Sequence, residues 1–241
     1  MRSYGLLLRW NLLRLRSMLP LLVIIQTLVS IGVVIGFSFL LPDADQTTGF
    51  YLSTGALTLG LITVGMVAAP QMVVQAKLTG IFDYQRSMPV PRLAMLAADA
   101  TVWVALALPG LAAALAVAVL RFDLNLRISW LAAPAMLLVA ICSVAIGYAV
   151  AYATKPEVAG AISQLIFFVA LMFAPINFPA DRLPHWLAET HDWLPFASMA
   201  QAIRETLQVP AAGISTAPFA MLTAWCAIGL VVTYRVMTHR P

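Results

Sequence analysis

Apolar residues run through this chain in long blocks, separated by short segments that gather arginine, lysine, proline and aspartate. A helix needs about 20 mostly apolar residues to cross the hydrocarbon core of a bilayer. Six segments meet that length: 18–41, 51–74, 93–120, 130–153, 158–177 and 216–237. The pattern predicts an all-α polytopic membrane protein with six transmembrane helices, residues 1–241 forming a single transmembrane domain. No long internal repeat or low-complexity linker divides it.

Three segments outside the runs have patterns of their own. The opening stretch, RSYGLLLRWNLLRLRSM, repeats arginine at Arg2, Arg9 and Arg16 and places Leu6, Leu7, Trp10, Leu13 and Met18 toward one side. This predicts a basic amphipathic helix on an anionic membrane surface, or a helical flank of the first span. The segment 75–92, QAKLTGIFDYQRSMPVPR, spaces Leu78, Ile81, Phe82 and Gln85 as one helix face and stops at Pro89 and Pro91. A short helix with aromatic residues and a firm end suits docking of another protein as well as simple connection. The segment 178–208 is too polar to span and too apolar for a free loop. Leu183, Trp186, Leu187, Trp193 and Leu194 approach helical spacing, leaving Asp181, Glu189, His191 and Asp192 to water. Pro179, Pro184 and Pro195 punctuate it. Ser198 and Gln201 match a capping box for a second helix carrying Met199, Ala202, Ile203 and Leu207. Two short helices dipping into the outer interface are expected, with Trp186 and Trp193 at headgroup level.

Charge sets the orientation. The chain has 14 Lys and Arg. With both termini cytoplasmic, that side receives Arg2, Arg9, Arg14, Arg16, Lys77, Arg86, Arg92, Lys155, Arg235 and Arg240. The opposite side receives Arg121, Arg127, Arg182 and Arg204, with Asp43 and Asp45. This bias is the positive-inside pattern. Only 10% of residues are charged against 62% hydrophobic, an apolar excess that no soluble core of this size hides. The net charge of +4 belongs to this membrane asymmetry; no basic stripe with interleaved aromatics points to nucleic acid. No cleavable leader is expected, and arginine-rich, lysine-poor usage fits a bacterial plasma membrane protein.

Candidate chemistry is sparse. Cys142 and Cys226 lie in apolar runs and read as small hydrophobes. His185, His191 and His239 lack ligand spacing, so no metal site is expected. Without a Gly-x-x-x-x-Gly-Lys-Ser/Thr loop, no nucleotide cofactor is expected on this chain. Asp99 near the inner end of the third span is a costly ionisable group, read as a structural partner for Arg92 or Arg86 or as a functional relay, the structural role being favoured. Gln26 and Ser30 are candidates for helix-to-helix hydrogen bonds. Gly32 and Gly36 form a G-x-x-x-G pair.

The run GIFDYQRSMPVPRLAML, 80–96, resembles the first cytoplasmic loop of type 2 ABC exporter permeases, above all the daunorubicin-resistance branch. Gly80, Ile81, Asp83, Arg86, Ser87, Pro89 and Arg92 match that branch's G-I-x-D-R-F-R-S-L-P-x-x-R-like run, and Tyr84 and Gln85 depart from it. Leu183, Pro184, Trp186, Leu187 and Pro195 fill the L-P-x-W-L and proline element such permeases carry before the last span. The resemblance implies a permease subunit of an ATP-driven exporter of drugs, antibiotics or lipids. It implies pairing with a second permease, homodimeric or heterodimeric, and a separate cytoplasmic ATPase that holds the ATP and Mg. It places that ATPase on Leu78, Gly80, Ile81, Phe82, Asp83, Tyr84, Arg86 and Pro89, and an extracellular gate on Leu183, Pro184, Trp186, Leu187, Trp193 and Pro195. For such a transporter, Thr58, Thr63, Gln164, Phe167, Phe168, Met172 and Phe173 are candidates for the substrate path. The alternatives are a membrane enzyme acting on lipid or peptide, which would need converging ionisable groups at membrane depth, and a non-catalytic scaffold.

Overall fold

A peptide group in lipid has no water to bond, so each long apolar segment closes its own hydrogen-bond ladder as a helix. The computed structural model describes residues 2–40, 46–87, 90–124, 126–179, 183–210 and 213–238. Of the residues singled out above, Pro89, Asp43, Asp45, Asp181, Arg182, His239, Arg240 and the side chains of Arg2, Asp83, Arg86 and Ser87 lie outside that set. Among the described residues the chain is helical, with no strand. The helices are α1 (Arg2–Leu15), α2 (Leu19–Leu40), α3 (Gln46–Ile62), α4 (Ala69–Leu78), α5 (Ile81–Ser87), α6 (Arg92–Phe122), α7 (Ala132–Ala153), α8 (Pro156–Phe173), α9 (His185–Trp193), α10 (Pro195–Leu207) and α11 (Ala217–Thr238). Six are long and apolar enough to cross a membrane, counting α3 and α4 as one.

The second span differs from its expected form. It runs unbroken from Gln46 to Leu78, but Thr63–Ala68 is a π-helical segment joining α3 to α4. The Ala69 amide donates to the Val64 carbonyl, five residues back. Pro70 follows at once. Proline lacks an amide hydrogen and crowds the carbonyl four residues before it, and the wide turn accommodates it without breaking the span.

α7 sits at the centre of the bundle. Its buried positions include Ala135, Val139, Cys142, Ser143, Ala145, Tyr148 and Ala151, on several faces of the helix. Such a position requires neighbours that come close. Gly147 lies directly against the Gly65 carbonyl and the Pro70 ring, and Gly65 against Ser143. On another side, Gly229 of α11 rests on the Ala145 main chain, where a Cβ would stand 2.8 Å from the carbonyl oxygen. α2, α8 and α11 are peripheral, with Leu21, Ile24, Leu28, Leu165, Phe168, Ile228 and Val231 exposed as lipid-facing surface would be. Gln26 does link helices: its Nε2 donates to Gly60 O at 3.0 Å. Among the described residues, nothing comes within 4 Å of where a Cβ would stand on Gly32 or Gly36.

The helices alternate direction, so the bundle has two ends. One carries α1, α5, the start of α6 and the end of α7, here the α5 end. The other carries α9 and α10, the hairpin end. There an isolated bridge between Arg127 and Gln208, and a 2.8 Å bond from Ser129 N to Thr206 O, tie the α6–α7 connection to the end of α10.

Packing this tight predicts a sharp contrast between glycines. Gly147→Val forces a branched side chain into backbone and is expected to cost about 3 kcal/mol. Gly32→Ala, with open space around it, is expected to be neutral or slightly stabilising. Thermal unfolding of the two purified variants in one detergent checks this; equal melting temperatures would refute the packing of α7 on the π-helical segment.

Candidate functional site

At the α5 end, α4 stops at Leu78 and Gly80 turns the chain with φ 73°, in the left-handed region that glycine enters without strain. That turn sets α5 beside α7. Lys77, the last cation of α4, reaches across: its Nζ donates to the carbonyls of Ala151 at 2.6 Å, Tyr152 at 3.2 Å and Thr154 at 3.0 Å. The final carbonyls of a helix have no partner in their own ladder, and the negative end of its dipole favours a cation. The ammonium also lies 5.9 Å from the Phe82 ring centre and 5.8 Å from that of Tyr152. Those rings are 5.5 Å apart, and Tyr148 meets Tyr152 edge-on at 5.8 Å. Lys77 is thus a clamp rather than a loop charge, and Phe82, half-buried in that clamp, is not the tip of α5. Ile81 is half-buried as well; Leu78 and Tyr84 are exposed.

Asp99 faces a different helix than expected. Asn11 of α1 donates its Nδ2 to Asp99 Oδ1 at 2.5 Å, and the Arg14 charge is close enough to act on the carboxyl. Arg92 Nη1 donates instead to Gln85 O at 3.3 Å. Beside Asp99 is a cavity of about 40 Å³, lined by Arg14, Gln85, Trp103, Tyr148 and Tyr152 among others. Tyr4 OH and Thr101 Oγ1 lie 2.8 Å apart, a second tie between α1 and α6. The bundle-facing residues of α1 are Leu7, Leu8, Asn11 and Leu15; Leu6, Trp10, Leu13 and Met18 are exposed.

At the hairpin end, α9 descends and α10 returns. Trp225 Nε1 donates to Trp193 O at 3.0 Å, about eight residues and so ~12 Å along α11 from its start. Ser143 Oγ, midway along α7, lies 3.8 Å from Met199 Sδ. α10 therefore begins deep and rises to Gln208, and its Phe196, Met199, Ala200, Ile203 and Leu207 are buried. It is a packed re-entrant helix, not one resting in the interface. It opens with Pro195 in its first turn and no side-chain cap, so Ser198 lies inside it and Gln201 bonds Glu205 at 2.7 Å.

Arg204 is the anchor of this hairpin. Its guanidinium carbon stands 3.4 Å from the Tyr51 ring centre; Nε donates to Thr54 Oγ1 at 3.2 Å and Nη2 to Ile176 O at 2.9 Å. Burial holds its pKa below the ordinary guanidinium value, with Tyr51 and Glu205 pulling upward. The expected outer-loop charge is in fact seated among α3, α10 and the turn that follows α8. Close by in sequence to Ile176, Asn177 Oδ1 is buried without a hydrogen-bond partner.

His191 is a second correction. Expected to face water, it is 2% exposed, with its ring beside the Phe173 main chain. Burial lowers its pKa, while the Phe173 main chain and Asp192 pull the other way. Trp186 and Trp193 are 68% and 78% exposed, Pro184 is exposed, Leu183 and Leu187 are half-buried, and Pro195 is buried. The substrate-path candidates do not form one surface. Thr58 is fully buried and bonds Thr54 O, so it lines no open path in this chain. Thr63 bonds Leu59 O, and Phe168, Met172 and Phe173 occupy the open face of α8 with Phe167 and Gln164 half-buried beside them.

Residues 4–208, from α1 to the end of α10, match the family described as ABC-2 type transporter. No curated protein matches the chain.

Two outcomes follow from the hairpin. Arg204→Met leaves the Ile176 carbonyl and Thr54 hydroxyl unmatched, an expected loss of about 2 kcal/mol or more, read as a lower melting temperature and faster maleimide labelling of a cysteine at Met199. His191 gives a pH dependence. Its native pKa lies below the unfolded value of about 6.5, so the unfolded chain binds the extra proton first. Its contribution to stability is complete above that pH and is lost as pH falls through it toward the native pKa. Melting temperature should drop on acidification more in the wild type than in His191→Leu; parallel curves would show that His191 does not titrate between the two states.

Proposed function

The chain belongs to the ABC-2 type transporter family, and on that premise we propose that it is the permease subunit of an ATP-driven exporter of amphipathic or hydrophobic compounds. In this reading a separate ATPase chain docks at the α5 end, which faces the cytoplasm. A second permease subunit completes the pathway, and the α9–α10 hairpin closes its extracellular mouth. The setting is a bacterial plasma membrane and the drug-exporting branch.

The observation that carries this reading is the pair of attachments on α7. Lys77 and the Phe82–Tyr152 contact fix α5 to its end, and α10 packs along it at Ser143. α7 is thus a rigid strut, and a push on α5 reaches the hairpin through it. The motif residues sort by this role. Leu78 and Tyr84 present exposed surface for the ATPase, Gly80 makes the turn, and Phe82 passes the load inward. Trp186, exposed near the start of α9, sits in the outer headgroup layer, where such rings prefer to lie, and Trp193, exposed at the deep turn of the hairpin, faces acyl chains.

Purified complex in vesicles tests the proposal. Lys77→Gln removes the cation between α4 and α7, and export per ATP hydrolysed is expected to fall about fivefold or more while ATP hydrolysis persists. Tyr84→Ala is expected to weaken ATPase binding itself. A cysteine at Asp83 should react only from the cytoplasm and one at Glu189 only from outside. The reverse labelling, or full coupling in Lys77→Gln, would overturn the reading.

A further inference from the structure

A cavity of about 300 Å³ opens between α1, α5 and the start of α6, lined by Ser3, Leu6, Leu7, Trp10, Val90 and Met95, with Asn11 and Gln85 as its polar floor. That volume is at the small end of ligand sites, which are mostly apolar with a few placed polar groups. Asn11 and Gln85 are 6% and 8% exposed and also line the smaller cavity beside Asp99.

Depth and charge identify the occupant. α1 is tied to α6 at Asp99 and Thr101, about seven to nine residues from the start of α6, so ~10–14 Å along the span. This is close to the boundary of headgroups and acyl chains, where basic amphipathic helices settle. Residues 1–42 carry Arg2, Arg9, Arg14 and Arg16 and no Asp or Glu. Arg9 is exposed and stands one helical turn from Leu6, which lines the chamber. We propose that this chamber binds one anionic phospholipid, its acyl chain lying along Leu6, Trp10, Val90 and Met95 and its phosphate held by Arg9. A zwitterionic lipid has the same chain but gains no net attraction to an acid-free helix. The lipid would wedge α1 against α5 and so stiffen the element on which α5 leans.

Trp10 reports directly on the chamber, and no transport needs to be measured. The protein is placed in phosphatidylcholine vesicles containing a trace of brominated-chain phosphatidylglycerol. The Trp10 signal is the fluorescence lost in Trp10→Phe. It is expected to be quenched well beyond random contact, and restored by unbrominated phosphatidylglycerol but not by more phosphatidylcholine. Arg9→Gln, a surface change, is expected to weaken this selectivity about fivefold. Val90→Phe, which fills the chamber, is expected to abolish it. Equal quenching of Trp10 by brominated phosphatidylcholine would mean that it touches bulk lipid only, and would overturn the proposal. Unchanged selectivity in Arg9→Gln would overturn the assignment of the phosphate.

Discussion

The contact of Gly65 with Gly147 decides the architecture. Two helices inside a membrane gain nothing from hiding apolar surface from water, so they must gain from close van der Waals contact. Here main chain touches main chain, with the Pro70 ring closing one side and Gly229 bringing α11 onto another. α7 becomes a member shared by the second span, the last span and α10. Everything at the two ends is positioned relative to it.

Given that frame, the few polar side chains in the bundle act as fasteners. Gln26 joins α2 to α3, Asn11 and Asp99 join α1 to α6, Lys77 joins α4 to α7, and Arg204 joins α10 to α3 and to the turn after α8. Each would be expensive to leave unmatched in a medium without water. Two are cations held by carbonyls and aromatic faces rather than by carboxylates. Such sites keep the charge but hold it by geometry, and they weaken as soon as the helices shift.

The six spans were legible because length and apolarity alone decide them, and the two motif-bearing segments stood out because prolines, tryptophans and charges collect there. What could not be read was the third dimension. The π-helical segment had one signal, Pro70 inside an apolar run, which periodicity does not register. Arg204 looked like a solvated charge on a short amphipathic helix; its partners Tyr51, Thr54 and Ile176 are distant in sequence. Phe82 stood out only as part of an apolar face of α5, because a helical wheel does not say which neighbour that face meets; Tyr152, its partner, is distant in sequence. Asp99 was recognised as needing a partner, but candidates were sought among nearby arginines, whereas Asn11 and Arg14 arrive from α1. His191 was assigned to water by its polar neighbours, yet it sits on the inward side of α9.

The wide turn at Thr63–Ala68 also bears on which length changes this family member tolerates. A π-helical turn holds one residue more than the α-helix it interrupts. Removing a single residue there would let the ladder regularise with the two halves of the span still in phase, whereas in regular helix each residue advances the chain by about 100°. A single-residue deletion between Ala69 and Lys77 would therefore rotate Lys77 by that angle about the helix axis, away from the Ala151, Tyr152 and Thr154 carbonyls. The irregular turn is the place in the second span where one residue can be lost without turning Lys77 away from α7.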